Sequence, residues 1–126
     1  VTTFPTPAAQ ADVLDKAADH LTAHGWIQGS MYDTQQVAGD TPLGECRTDV
    51  LGALKAVVLG EPRWGGSIDD LAVVDLALTA LHQHVGAEPI GWNDVDGRTV
   101  DEVIAAMRET AASLRAAAVD APEVAA

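Results

Sequence analysis

The chain has 126 residues, the length of one domain, and carries 7 Lys and Arg against 19 Asp and Glu, a net charge of −12 that repels phosphate backbones and argues against direct nucleic-acid binding. Apolar residues make up 48%, enough for a modest core and outside the composition of disordered chains. The single Cys46 excludes an intrachain disulfide and a cysteine-built zinc cluster, no apolar run approaches the ~20 residues of a spanning helix, and the opening VTTFPTPAAQ lacks the features of a signal peptide, so we expect a cytoplasmic protein with no membrane partner that folds alone or as a homodimer.

The expected elements are helical. Residues 1–7 form an extended segment around the breakers Pro5 and Pro7, and a first helix runs from about Ala8 to His24, with Val13, Leu14, Ala17, Ala18 and Leu21 as its apolar stripe. Gly25 stops it, and Trp26 packs back on Leu21. The connection from Trp26 to Thr41 is long for a helical protein and suggests a short extended pair around Ile27–Tyr32 and a turn at Gly39-Asp40. A second helix is expected after Thr41-Pro42, continuing to Leu59, because Cys46, Val50, Leu54 and Val57 recur at helical spacing before Gly60. A third, capped by Ser67, extends to Val85 and is apolar around most of its circumference, as suits the central element. The fourth opens with the capping box Thr99-Val100-Asp101-Glu102 and ends in a tail over 120–126 expected to be mobile. Together these predict an all-α fold, a compact bundle of four main helices with long Gly- and Trp-containing loops, formed by one domain over residues 8–119.

The five aromatics, Phe4, Trp26, Tyr32, Trp64 and Trp92, all fall outside these four helices, and each Trp has a Gly beside it. Such rings either cap the ends of an Ala-rich bundle or wall a small pocket, and the two readings are compatible. The stretches His24-Gly25-Trp26-Ile27-Gln28-Gly29, Cys46 with Leu51-Gly52-Ala53-Leu54, Ile90-Gly91-Trp92-Asn93-Asp94 and Gly97-Arg98-Thr99 before Glu102-Val103-Ile104 resemble an uncharacterised small helical family common in actinobacteria and their phages, a domain of unknown function. The resemblance spans Val13 to Leu114. It implies a bacterial or phage cytosolic setting and supplies no activity.

His20 and His24 lie i, i+4 on the first helix, a spacing that suits a shared metal, but no Glu lies between them and His82 and His84 face different directions, so no metal site is expected. Asn93-Asp94-Val95-Asp96-Gly97 imitates part of a calcium loop without its first and twelfth ligands, and reads more simply as a turn. Arg98 is expected to pair with a neighbouring acid rather than an anion. Cys46 is read as a small core residue of the second helix, with a nucleophilic role as the alternative. No phosphate loop, nucleophile elbow or dinucleotide fingerprint occurs, and no cofactor is expected. The leading expectation is a binding domain that recognises a modest organic ligand or a protein surface through the Trp26 and Trp92 loops, using His24, Trp26, Gln28, Trp92, Asn93 and Asp94. The alternative is a cofactor-free enzyme in which His24 and a loop carboxylate such as Asp94 transfer protons. Both readings place Trp26 and Trp92 at one end of the bundle with His24 between them.

Overall fold

The computed structural model describes residues 5–120. The expected mobile tail falls outside the described residues apart from Asp120, as do Phe4 and most of the segment over 1–7. Six α-helices are present among the described residues: α1 (Pro7–His24), α2 (Thr34–Ala38), α3 (Val50–Leu59), α4 (Ile68–Val85), α5 (Pro89–Asn93) and α6 (Val100–Asp120), with a 3₁₀ turn at Leu43–Glu45. Four of them are long, and the fold is all-α. Among the described residues no helix is long and apolar enough to cross a membrane.

The start signals at Ser67 and Thr99 act as the sequence implies, whereas α1 opens on Pro7, expected to be a breaker, with Thr6 as its cap. Thr6 accepts from Ala9 N–H at 3.1 Å with Pro7 opening α1, and Ser67 accepts from Asp70 N–H at 3.1 Å to open α4. At α6, Thr99 Oγ1 accepts from Glu102 N–H at 3.2 Å while Glu102 accepts from Thr99 N–H at 3.0 Å, a reciprocal capping box. Arg98 pairs with Glu102 at 3.1 Å.

The second helix differs from expectation. It begins at Val50, capped by Asp49, rather than just after Pro42, and residues 46–48 are extended. Cys46 is fully buried, yet it sits before the helix rather than on its face. Its i, i+4 relation to Val50 continues the apolar period across a segment that pairs its backbone elsewhere, which is why spacing alone extends the helix too far. Trp26 and Tyr32 both bridge to Thr48, so the extended residues of the long connection pair with this strand-like stretch and not with each other. Two short helices, α2 and α5, also interrupt the long connections, and Trp92 therefore lies inside a helix.

The core joins Leu14, Ala18 and Leu21 of α1 to Val50 and Leu54 of α3, Val74 and Leu81 of α4, and Val103 and Met107 of α6. α1, not α4, is the central element: it packs on α6, α3 and α4, whereas Val73 and Leu76 leave α4 only half covered on its remaining sides. Alanines at 11, 17, 18, 106 and 111 are buried and let the α1 and α6 backbones approach closely. Along the rim of that pair, Arg108 reaches Asp15 and Asp19 and Arg115 reaches Asp12 and Asp15.

Candidate ligand site

The site begins where α1 stops. Gly25 has φ of 100°, and a Cβ there would lie 2.7 Å from Arg47 Cγ, so the chain leaves the helix through a position that a side chain would block. The following residues then run beside the extended stretch before α3. Ile27 N–H donates to Thr48 O at 3.0 Å, Asp33 N–H to Arg47 O at 3.0 Å and Asp49 N–H to Met31 O at 3.2 Å. Gly52, in the first turn of α3, meets this segment so closely that a Cβ would sit 2.1 Å from Met31 O.

Asn93, the last residue of α5, locks the two distant loops together. It is fully buried. Its Oδ1 accepts from Trp26 Nε1 at 2.7 Å and from Val50 N–H at 3.3 Å, and its Nδ2 donates to Ile27 O at 3.3 Å and to Asp94 Oδ1 at 2.8 Å. Gln28 Nε2 donates to Asn93 O at 3.0 Å and to Val95 O at 2.9 Å, and Gly29 N–H donates to Asp94 Oδ1 at 2.9 Å. Five of the six sequence-named site residues thus lie along or next to one seam: Trp26, Gln28, Asn93 and Asp94 bond across it, and Trp92 immediately precedes it.

The two indoles face different clefts. Trp26 lines a cleft of about 390 Å³ with Leu21 and Ile104, while Trp92 lines one of about 330 Å³ with Val85 and Glu102, its ring covered by the Arg98 guanidinium at 4.2 Å. Packing of an indole under a guanidinium holds both in place. His24 does not bond to the seam among the described residues; its ring lies 4.7 Å from that of His20. Burial and the neighbouring His24 hold His20 below the ordinary imidazole value, against a smaller opposite effect of the Cys46 backbone. The Cys46 thiol is pushed up by burial and by Asp33 and Glu45, which disfavours the nucleophilic thiolate. Among the described residues no three His, Cys, Asp or Glu side chains gather at metal-binding distance.

On the other side of the seam lies a residue that the sequence reading passed over. Asp49 is only 3% exposed and accepts from Gly52 N–H at 2.8 Å as the cap of α3. Burial, opposed by the Gly52 N–H and reinforced by the charge of Asp94, pushes its carboxyl up to about 6. Asp49 and Asp94 line a cleft of about 280 Å³ whose other walls include Leu51, Ile90 and Trp64. Trp64 is 71% exposed, and Lys55 Nζ sits 4.9 Å from its ring centroid. A carboxyl held near neutrality beside a second acid, against apolar walls, can bind a cation or exchange a proton. The signal for Asp49 was present as an N-cap residue ahead of the apolar run Val50-Leu51, but the expected helix ran through it.

The model of a family of unknown function (DUF6197) matches residues 5–113, so the chain belongs to that family. No curated protein and no solved structure matches it.

Proposed function

We propose that this member of a family without an assigned activity is a binding domain for a modest organic molecule, taken up in the cleft between Gly29, Asp49, Leu51, Trp64, Ile90 and Asp94. One observation carries the reading: the hydrogen-bonded loops bring Gly29 and Asp94, 65 residues apart, to the mouth of a cleft that holds a carboxylate only 3% exposed. Ligand sites combine apolar walls with a few placed polar groups, and this cleft has that composition. Trp26, Gln28 and Asn93 support the site by fixing the loops, while Trp92 stands behind Asn93. A bacterial or phage cytoplasm is the setting we infer from the motifs around Trp26 and Trp92 and from a lone, buried thiol.

A second reading, general acid and base chemistry, is favoured by the position of Asp49 near 6 beside Asp94, which are better placed relative to each other than His24 is to either. A third, a protein partner, would use the exposed Trp64 and Ile68.

A melting screen against a metabolite library tests the leading reading, since a specific ligand raises the melting temperature by mass action. Hits should stabilise wild type and Trp92→Ala alike and lose their effect in Trp64→Ala and Asp94→Asn. Hits that survive in both cleft variants, or that vanish only in Trp92→Ala, would move the site away from the cleft.

A further inference from the structure

We propose that the cleft takes a small organic ammonium ion, its charged head between the Asp49 and Asp94 carboxylates and its apolar body against Leu51, Ile90 and the Trp64 indole. The inference rests on the reading of this cleft as the binding site and adds the class of ligand.

The distribution of charge supports it. All five arginines are committed elsewhere: Arg47 to Asp33, Arg63 to Glu61, Arg98 to Glu102, Arg108 to Asp15 and Asp19, and Arg115 to Asp12 and Asp15. Among the described residues no cation pairs with Asp49 or Asp94. Buried carboxylates in folded proteins are ordinarily paired, because removal from water penalises the bare charge heavily. Asp49 caps α3 through Gly52 N–H, and burial together with the charge of Asp94 still raises its carboxyl to about 6. Asp94 receives both of its hydrogen bonds, from Gly29 N–H and Asn93 Nδ2, on Oδ1. Its Oδ2 therefore remains available to a donor from the cleft.

The walls select the kind of cation. A hard divalent ion prefers six or more oxygen ligands, and this cleft presents two carboxylates among mainly apolar surface. An ammonium group instead needs a few acceptors for its N–H bonds and tolerates, through its carbon substituents, the contact with Leu51, Ile90 and an indole face. The Trp64 ring already carries one ammonium, that of Lys55, whose Nζ donates to Arg63 O at 3.1 Å and which is not among the cleft's lining residues. At about 280 Å³ the cleft suits a ligand with a single ring or a short chain. The net charge of −12 attracts such a cation and repels carboxylate or phosphate ligands of similar size.

The test uses three probes matched in shape: benzylammonium, benzyl alcohol and benzoate, titrated into ¹⁵N-labelled wild-type protein and Asp94→Asn at neutral pH. Benzylammonium is expected to give saturable shifts at Gly29, Leu51 and the Trp64 indole, with the Asp94→Asn complex up to about fivefold weaker, the scale of one partly exposed charge contact, and benzyl alcohol weaker still. Asp94 is exposed, so an unchanged melting temperature verifies that the variant is folded. Equal shifts at these residues with benzyl alcohol or benzoate would overturn the ammonium class while leaving the cleft as a ligand site. Absence of shifts with benzylammonium would overturn the ammonium class as well. If the library hits also miss the cleft, the binding reading falls with it.

Discussion

Asn93 is fully buried and uses both ends of its amide inside the protein, whereas Asp94, the next residue, stays exposed and pairs with no cation among the described residues. Both belong to the same junction between the Trp26 loop and the end of α5. On one side of it Asn93 answers three groups at once: Trp26 Nε1, the first N–H of α3 and the Ile27 carbonyl all meet its amide. On the other, Asp49 and Asp94 face a cleft with their charge uncompensated. A hydrogen-bonded buried amide fixes architecture, whereas carboxylates without a cation beside a cleft are placed to meet a charged group from outside. The boundary between the two runs through a single peptide bond.

Asn93→Ala breaks the closed side. It strands the buried Val50 N–H together with the partly buried indole N–H and Ile27 carbonyl, and with a fully buried unsatisfied group worth about 1–3 kcal/mol the variant should lose about 2–3 kcal/mol, measured by denaturant unfolding. A loss below about 1 kcal/mol would show that the loops are held by packing and not by this amide.

Asp49→Asn should have a smaller effect that depends on pH. Asn retains the capping oxygen and removes the charge. A carboxyl raised in the folded state to about 6 binds its proton more tightly there than in the unfolded chain. Its contribution is therefore fully favourable below the unfolded value near 4 and declines as pH rises through about 6. Wild type should lose on the order of 2 kcal/mol relative to Asp49→Asn between pH 4 and pH 7, read from parallel unfolding curves. A constant difference over that range would mean that Asp49 is paired or solvated. Trp64→Ala lies at the small end. With 71% of the residue exposed, stability should change by no more than about 0.5 kcal/mol, while any ligand of the cleft is weakened.

Much of the helical frame was legible because its signals are local. Ser67 and the Thr99–Glu102 box each start a helix within one turn of the chain, and Gly25, Gly60 and Gly86 stop one; Thr6-Pro7 starts α1 in the same way, although Pro7 was expected to be a breaker. The start of α3 was hidden by a coincidence: Cys46 and Val50 keep helical spacing although the chain between them is extended. The α5 helix carried its own signal in Glu88-Pro89, where Glu88 accepts from Ile90 and Gly91 N–H and Pro89 opens the helix, but five residues are too few to show a period. The neighbourhood of Trp26 and the Asn93 loop followed from antiparallel helix ends. Its closure by Asn93, and the burial of Asp49 against Asp94, depend on contacts between residues more than 40 apart, for which composition and periodicity carry no trace. His24 was attractive for its chemistry, yet its i, i+4 relation to His20 on α1 leaves the two rings beside each other.

The free protein holds in its cleft a buried carboxylate that no cation pairs with among the described residues. Titration of the Asp49 carboxyl carbon by NMR measures this directly. A midpoint of about 6 is expected in the free protein, with a downward displacement when benzylammonium saturates the cleft. A midpoint at the ordinary aspartate value near 4, unmoved by benzylammonium, would contradict it.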